Sequence, residues 1–242
     1  NIYKKKINME QNLQNKKGLV QNVFDSVYER YDLMNDFMSF GAHRIWKKDM
    51  MNWLSPLPNK KLIDMACGTG DIGKLFLEFT NNQGNVMFVD PNSQMLKKCM
   101  EKLNRNKNIS WKVGSAEKIS APTNYFDYYC ISFGLRNTKN INKSLKEAFR
   151  VLKPGGRFLC LEFSQVQNDF LNSFYKQYSK LIPQLGKIVI GDKKPYEYLI
   201  ESIENFINQD ELIELMKKNN FFKSEYRNLS GGIVAIHSGW KI

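Results

Sequence analysis

The chain has 242 residues, 42% of them hydrophobic and 13% aromatic, which is enough to bury one sizeable core in a single α/β domain. No apolar run approaches the roughly 18 residues that span a bilayer and no signal-peptide pattern is present; four scattered cysteines and two distant histidines, His43 and His237, argue against a disulfide scaffold and a zinc site. The net charge of +12 is spread over 29 lysines and only 7 arginines, which favours solvated lysine and attraction to an anionic membrane surface over a nucleic-acid reading face.

In chain order, residues 1–18 form a basic, flexible segment whose lysines would suit the remnant of a targeting sequence. Val20, Val23, Phe24, Val27, Tyr28, Tyr31 and Met34 then recur at helical spacing, so 19–58 reads as a helical N-terminal cover. Strands are expected at 61–66, 85–90, 109–113, 126–133 and 157–163, and helices at 71–80, 93–103 and 141–152, the last stopped by Lys153-Pro154-Gly155-Gly156. Residues 164–208 form a second helical insertion, with a stripe of Leu171, Phe174, Tyr175, Tyr178, Leu181 and Ile182 ending at Pro183. Strands at 222–228 and 232–237, joined across Gly231, make a hairpin. Alternation of strand and helix implies a mostly parallel, seven-stranded sheet in one domain, 19–242, with an antiparallel C-terminal edge. The two apolar stripes either pack on the sheet or cover its C-terminal edge and admit an apolar substrate.

The richest segment is Leu62-Ile63-Asp64-Met65-Ala66-Cys67-Gly68-Thr69-Gly70-Asp71, followed by a strand ending in Asp90, 20 residues after Gly70. A strand, a glycine turn, a helix and a second strand closed by an acid together grip an adenosine cofactor. Gly68, Gly70 and Gly73 spell G-x-G-x-x-G, which in a dinucleotide site lets amides approach a pyrophosphate. Asp64 and Asp71 would repel one. S-adenosylmethionine has a sulfonium and an ammonium and no phosphate, so it suits these acids better than NAD does, while Asp90 would hold its ribose. A tight turn without ligand is the remaining reading.

Further segments resemble one family. Val23-Phe24-Asp25-Ser26-Val27, Arg30-Tyr31-Asp32, Met34-Asn35-Asp36 and Ser39-Phe40-Gly41-Ala42-His43-Arg44-Ile45-Trp46-Lys47 are similar to the N-terminal signature of the ubiquinone/menaquinone-biosynthesis C-methyltransferases. So are Ser132-Phe133-Gly134-Leu135-Arg136-Asn137, Leu152-Lys153-Pro154-Gly155-Gly156-Arg157, Glu162-Phe163-Ser164, Tyr198-Leu199-Ile200-Glu201-Ser202-Ile203 and the ending from Gly231 to Trp240. The resemblance covers about 20–242 and implies a class I methyltransferase, Rossmann-like fold. Carried over residue by residue, it assigns the methyl donor to Thr69, Asp90, Ser115, Ala116 and Ser132, which join Asp64, Gly68 and Gly70 of the strand and glycine turn as the expected cofactor site. Two positions depart from the pattern: Cys67 stands where a second glycine is usual, and Ser115 where Asn or Asp is common.

The reaction implied is C-methylation of a polyprenylated benzoquinol, 2-polyprenyl-6-methoxy-1,4-benzoquinol, with demethylmenaquinol as the alternative acceptor. The chemistry needs alignment and a stabilised phenolate. Arg136 and Asn137, just after the fourth strand, are expected to supply these; arginine stays protonated, so Arg136 would hold the oxyanion or a water that takes the proton, unless it is a loop-pinning ion pair. Tyr31 would be a relay or substrate contact, and His43 a base or an anchor for the turn at Trp46. Expected partners are the quinol substrate, an anionic membrane surface, a second copy of the chain and other quinone-biosynthesis enzymes, with no nucleic acid and no metal. The protein would lie on the inner membrane, from the cytoplasm in a bacterium or the matrix side in a mitochondrion. A noncatalytic quinone- or nucleic-acid-binding module is the reading from a different class.

Overall fold

The computed structural model describes residues 36, 39, 41–103, 107–166 and 194–242. The basic segment 1–18, the apolar stripe from Val20 to Met34 with Tyr31, and the stripe at 171–182 lie outside the described residues.

The strands are β1 (Lys61–Met65), β2 (Asn85–Asp90), β3 (Ile109–Val113), β4 (Phe126–Ser132), β5 (Leu152–Phe163), β6 (Phe222–Leu229) and β7 (Val234–Trp240). The described helices are α1 (Ala42–Leu54), α2 (Asp71–Phe79), α3 (Ser93–Leu103), α4 (Ile141–Val151), α5 (Lys194–Glu204) and α6 (Gln209–Lys218). The seven strands form one sheet in the order β3-β2-β1-β4-β5-β7-β6. β1 pairs in parallel with both β2 and β4, so the chain fills one side of β1 and then returns to fill the other. That reversal opens a crevice at the carboxyl ends of β1 and β4, where open α/β sheets bind ligands. β7 is antiparallel to both neighbours. It is therefore the single reversed strand and lies one place in from the edge, which β6 occupies.

Side-chain alternation along the strands builds two cores. Leu62, Phe88, Cys130, Leu159 and Leu161 pack with Trp46, Met50, Met51 and Leu54 of α1 and Ile72 and Phe76 of α2 on one face. Ile63, Met65, Ile131, Phe158 and Cys160 pack with Leu145 and Ala148 of α4 and Leu212 and Met216 of α6 on the other. The cysteines are free, and Cys99, Cys130 and Cys160 are buried core residues.

Several boundaries differ from expectation for local reasons. Ala66 and Phe133 leave their strands with φ of 52° and 54°, turning the chain where the crevice begins. β5 starts five residues early: Leu152 pairs with Phe126 and Arg157 with Tyr128, so the Pro-Gly-Gly step is a bulge within the strand. β7 begins later, because Gly231 and Gly232 take φ of 68° and 94° in the turn. α6 was not expected. Its signal is a capping box in which Asn208 accepts from the Glu211 N–H while the Glu211 carboxylate accepts from the Asn208 N–H.

Candidate active site

At the carboxyl edge of β1 and β2 the acids are held by backbone amides. Asp64 Oδ2 accepts the Gly73 N–H of α2 at 2.9 Å, and burial pushes its carboxyl up to about 7 despite that bond. Asp90 accepts the Gly68 N–H on one oxygen and the Asn92 N–H on the other, both at 2.8 Å. Burial lifts it to about 6, against those two bonds. Each carboxylate oxygen has a second lone-pair site, so Asp90 retains acceptor capacity for two hydroxyls. The glycines are needed for two reasons. Gly70 takes φ of 85°, and a Cβ there would lie 2.5 Å from Cys99 Sγ; a Cβ on Gly73 would lie 2.2 Å from the Phe88 ring. The third glycine thus serves helix-to-strand packing.

Asp71 is expected to repel a pyrophosphate and to suit a cationic ligand, yet its carboxylate already has two cationic partners. Lys47 Nζ of α1 meets its Oδ2 at 2.8 Å and Lys102 Nζ its Oδ1 at 3.3 Å. Burial opposes ionisation there, but the two lysines outweigh it and hold the carboxyl at about 2. Charge on Asp71 is therefore met within the protein, and repulsion of a pyrophosphate by this acid does not separate the cofactor readings.

Past β3, the Gly114 N–H donates to the Asp90 carbonyl at 3.1 Å, which ties the Ser115-Ala116 turn to the end of β2; Ser115 bridges to Lys118 and Ala116 is buried. Ser132 ends β4 with a buried Oγ that has no hydrogen-bond partner among the described residues. A Cβ on Gly134 would lie 2.5 Å from Ala66 Cβ, so the β1 and β4 ends approach in backbone-to-backbone contact. Asp64, Gly68, Thr69, Gly70, Asp90, Ser115, Ala116 and Ser132 thus fall along the carboxyl ends of β1 to β4.

Arg136 is buried, its Nη1 donating to Glu162 Oε2 at 2.6 Å and its backbone N–H to Oε1 at 3.2 Å. Burial raises the Glu162 carboxyl, while Arg136 works to lower it. The guanidinium carbon lies 5.8 Å from the Phe133 ring centroid and 5.5 Å from that of Phe163, within cation–π range. Both rings stand 6.3 Å from Trp46, whose indole N–H donates to Ser230 Oγ at 2.8 Å. The Arg136 Nε remains without a partner among the described residues. Asn137 Oδ1 accepts the Tyr198 hydroxyl of α5 at 2.9 Å. In the sequence Glu162 and Tyr198 stand out only as parts of family motifs; their contacts with Arg136 and Asn137 arise from tertiary packing.

His43 is no exposed base. Its Nε2 is 2.9 Å from Asp36 Oδ1, and burial, then Lys47, depress its basicity more than Asp36 restores it. Among the described residues no cluster of His, Cys, Asp and Glu could hold a metal.

The match to the description ubiE/COQ5 methyltransferase family extends over residues 10–241. The chain belongs to this family. It is 49% identical over 234 residues to the Ubiquinone/menaquinone biosynthesis C-methyltransferase UbiE of Rickettsia akari (strain Hartford), with 94% of each chain covered. Its counterpart in Rickettsia bellii (strain OSU 85-389) is 47% identical with the same coverage. Solved structures share the fold at low identity. A SAM-dependent methyltransferase from Aquifex aeolicus aligns at TM-score 0.61 and 15% identity, covering 81% of this chain and 89% of that one. Haemonchus contortus phosphoethanolamine N-methyltransferase 2, in complex with S-adenosyl-L-methionine, aligns at TM-score 0.62 and 16% identity, covering 81% and 52%.

The family member is an S-adenosylmethionine-dependent C-methyltransferase. The site fits that cofactor in two respects: Asp90 has unspent acceptor sites at the end of β2, and the buried Ser132 hydroxyl lacks a partner among the described residues.

Proposed function

We propose that this C-methyltransferase of ubiquinone/menaquinone biosynthesis acts on a polyprenylated benzoquinol, 2-polyprenyl-6-methoxy-1,4-benzoquinol. The observation that carries the reading is the Arg136 guanidinium held against the Phe133 and Phe163 rings beside the end of β4. Aromatic walls and one fixed cation suit an electron-rich ring whose hydroxyl must lose its proton.

When bound, S-adenosylmethionine supplies an electrophilic methyl group on a sulfonium. The protein must bring an aromatic carbon in line with it and stabilise the oxygen that pushes electrons into the ring. Arg136 is suited to the second task. Glu162 holds one arm of the guanidinium, and the fork has five N–H donors in all, so donors remain for a phenolate or for the water that takes the proton. Asn137, fixed through its Oδ1 by Tyr198, orients the ring hydroxyl. Asp90 and Ser132 hold the cofactor on the β2 and β4 sides.

The polyprenyl tail keeps such an acceptor in a bilayer. A net charge of +12 supports docking on an anionic leaflet, with each lysine or arginine near the surface contributing about 1 kcal/mol. Binding to vesicles should rise with anionic lipid and weaken with salt, because exposed charges are screened beyond about 10 Å at 0.1 M. Equal binding to neutral and anionic vesicles would contradict this. The substrate is tested by offering short-chain benzoquinol and naphthoquinol side by side, both reduced. Preferred methylation of the benzoquinol supports the proposal, and preferred methylation of the naphthoquinol overturns it.

A further inference from the structure

The aromatic wall behind Arg136 has a third member, held from far along the chain. Trp46 of α1 packs against both Phe133 and Phe163, with ring centroids 6.3 Å apart in each case, and the two phenyl rings stand 5.0 Å from each other. Contact alone leaves an indole more than one orientation, because the second side-chain torsion of an aromatic residue has broad wells. Its single N–H selects one of them by donating to Ser230 Oγ at 2.8 Å. Ser230 opens the turn Ser230–Gly232 between β6 and β7, and that turn is pinned in its own right. The Ser164 hydroxyl donates to the Gly232 carbonyl at 2.7 Å and the Ser164 N–H to the Ile233 carbonyl at 3.0 Å, while the Gln209 amide of α6 donates to Ser164 Oγ at 3.0 Å. Ser164 directly follows Glu162-Phe163, which holds Arg136 and supplies one of the rings. Phe133 and Ser230 both take positive φ, 54° and 49°, which is uncommon outside glycine and persists where surrounding contacts fix the backbone. The two residues meet at the same indole, one through its ring and the other through its hydroxyl.

We infer that Ser230 is a positioning residue for acceptor selectivity. By fixing Trp46 against Phe133 and Phe163 it sets the width of the aromatic slot beside Arg136, so that a single ring is gripped and a fused two-ring acceptor is not. An indole released from this bond can turn aside, which loosens the grip on one ring and makes room for a second. A hydroxyl in the β6–β7 turn thereby reaches the acceptor through the indole. The inference rests on the acceptor reading of this half of the crevice.

The test is steady-state kinetics at saturating S-adenosylmethionine on two short-chain acceptors, a benzoquinol and a naphthoquinol, both kept reduced, with calorimetric affinity for S-adenosylhomocysteine measured alongside. Ser230→Gly removes the acceptor of the indole bond, leaves every ring in place and suits the left-handed backbone. It should cut the kcat/KM preference for benzoquinol at least fivefold, through a higher benzoquinol KM, with kcat and S-adenosylhomocysteine affinity within twofold of wild type. Trp46→Phe, which deletes the donor, should cut the preference similarly. The double variant should fall no further than the larger of the two, because both changes break one coupled pair. A Ser230→Gly variant that keeps the wild-type preference overturns the inference. So does one that weakens both acceptors and S-adenosylhomocysteine equally, which would make the bond a general support. Wild-type protein that prefers naphthoquinol overturns the benzoquinol reading instead; the inference then stands if Ser230→Gly shifts that preference fivefold and falls if it does not.

Discussion

The two halves of the crevice are built by different means. On the β1–β2 side the functional acids are fixed by backbone amides close in sequence, Asp64 by Gly73 nine positions on and Asp90 by Gly68 22 positions before. On the β4–β5 side the polar groups are fixed by other side chains: Arg136 by Glu162, 26 positions away, and Asn137 by Tyr198, 61 positions away. Backbone amides cannot be deleted by substitution, and they return whenever the turn folds. Side-chain partners can be removed one at a time. The cofactor half should therefore be robust and the acceptor half fragile, with little coupling between them.

The largest expected effect is on stability. Glu162→Ala leaves the Arg136 guanidinium buried without its counter-charge and should cost about 3–5 kcal/mol, read as a lower midpoint in urea at unchanged slope. Adding Arg136→Met should recover much of that loss while leaving the enzyme inactive. A loss under about 1 kcal/mol in the single variant would mean that the acceptor half is no more fragile than ordinary surface.

Next is the pH dependence of the cofactor half. Asp64 is raised from its ordinary value to about 7, so between about 4 and 7 the folded state holds a proton that the unfolded state has released. Its contribution is full below about 4 and is lost as pH rises to 7, at up to about 1.4 kcal/mol per pH unit. Asp64→Asn, which keeps an acceptor for the Gly73 N–H, should gain stability on wild type across that window. A constant difference between the two from pH 4 to 8 would show that Asp64 is ionised throughout.

Two smaller changes probe each half separately. Asp90→Ala should weaken S-adenosylhomocysteine by about 2–4 kcal/mol, the worth of hydrogen bonds to a charged group, and unchanged affinity in calorimetry would remove Asp90 from the site. Tyr198→Phe removes only the hydroxyl on Asn137. It should cost turnover about 1 kcal/mol, roughly fivefold, without altering S-adenosylhomocysteine binding, whereas equal loss in both would join the two halves.

The same division governs what the sequence discloses. β2, α3 and β3 fall at the expected residues because their apolar periodicity and their turns are local. Asp64, the glycines and Asp90 are legible for the same reason: their geometry is set within about 25 residues. The ion pair of Arg136 with Glu162, the bond of Tyr198 to Asn137 and that of Trp46 to Ser230, 184 positions apart, exist only once the sheet has assembled. No periodicity reports them. The lysines on Asp71 were illegible too, since nothing in the spacing of Lys47 on α1 and Lys102 on α3 says that both converge on the first turn of α2.

Arg136→Lys tests the division most directly, because lysine keeps the charge and loses the planar fork. Turnover on short-chain benzoquinol and calorimetric affinity for S-adenosylhomocysteine should be measured on the same preparation. The account predicts that turnover falls about 100-fold, close to 2.7 kcal/mol, with affinity within twofold of wild type. Equal losses in turnover and affinity would contradict it, and would make Arg136 a support for the whole crevice.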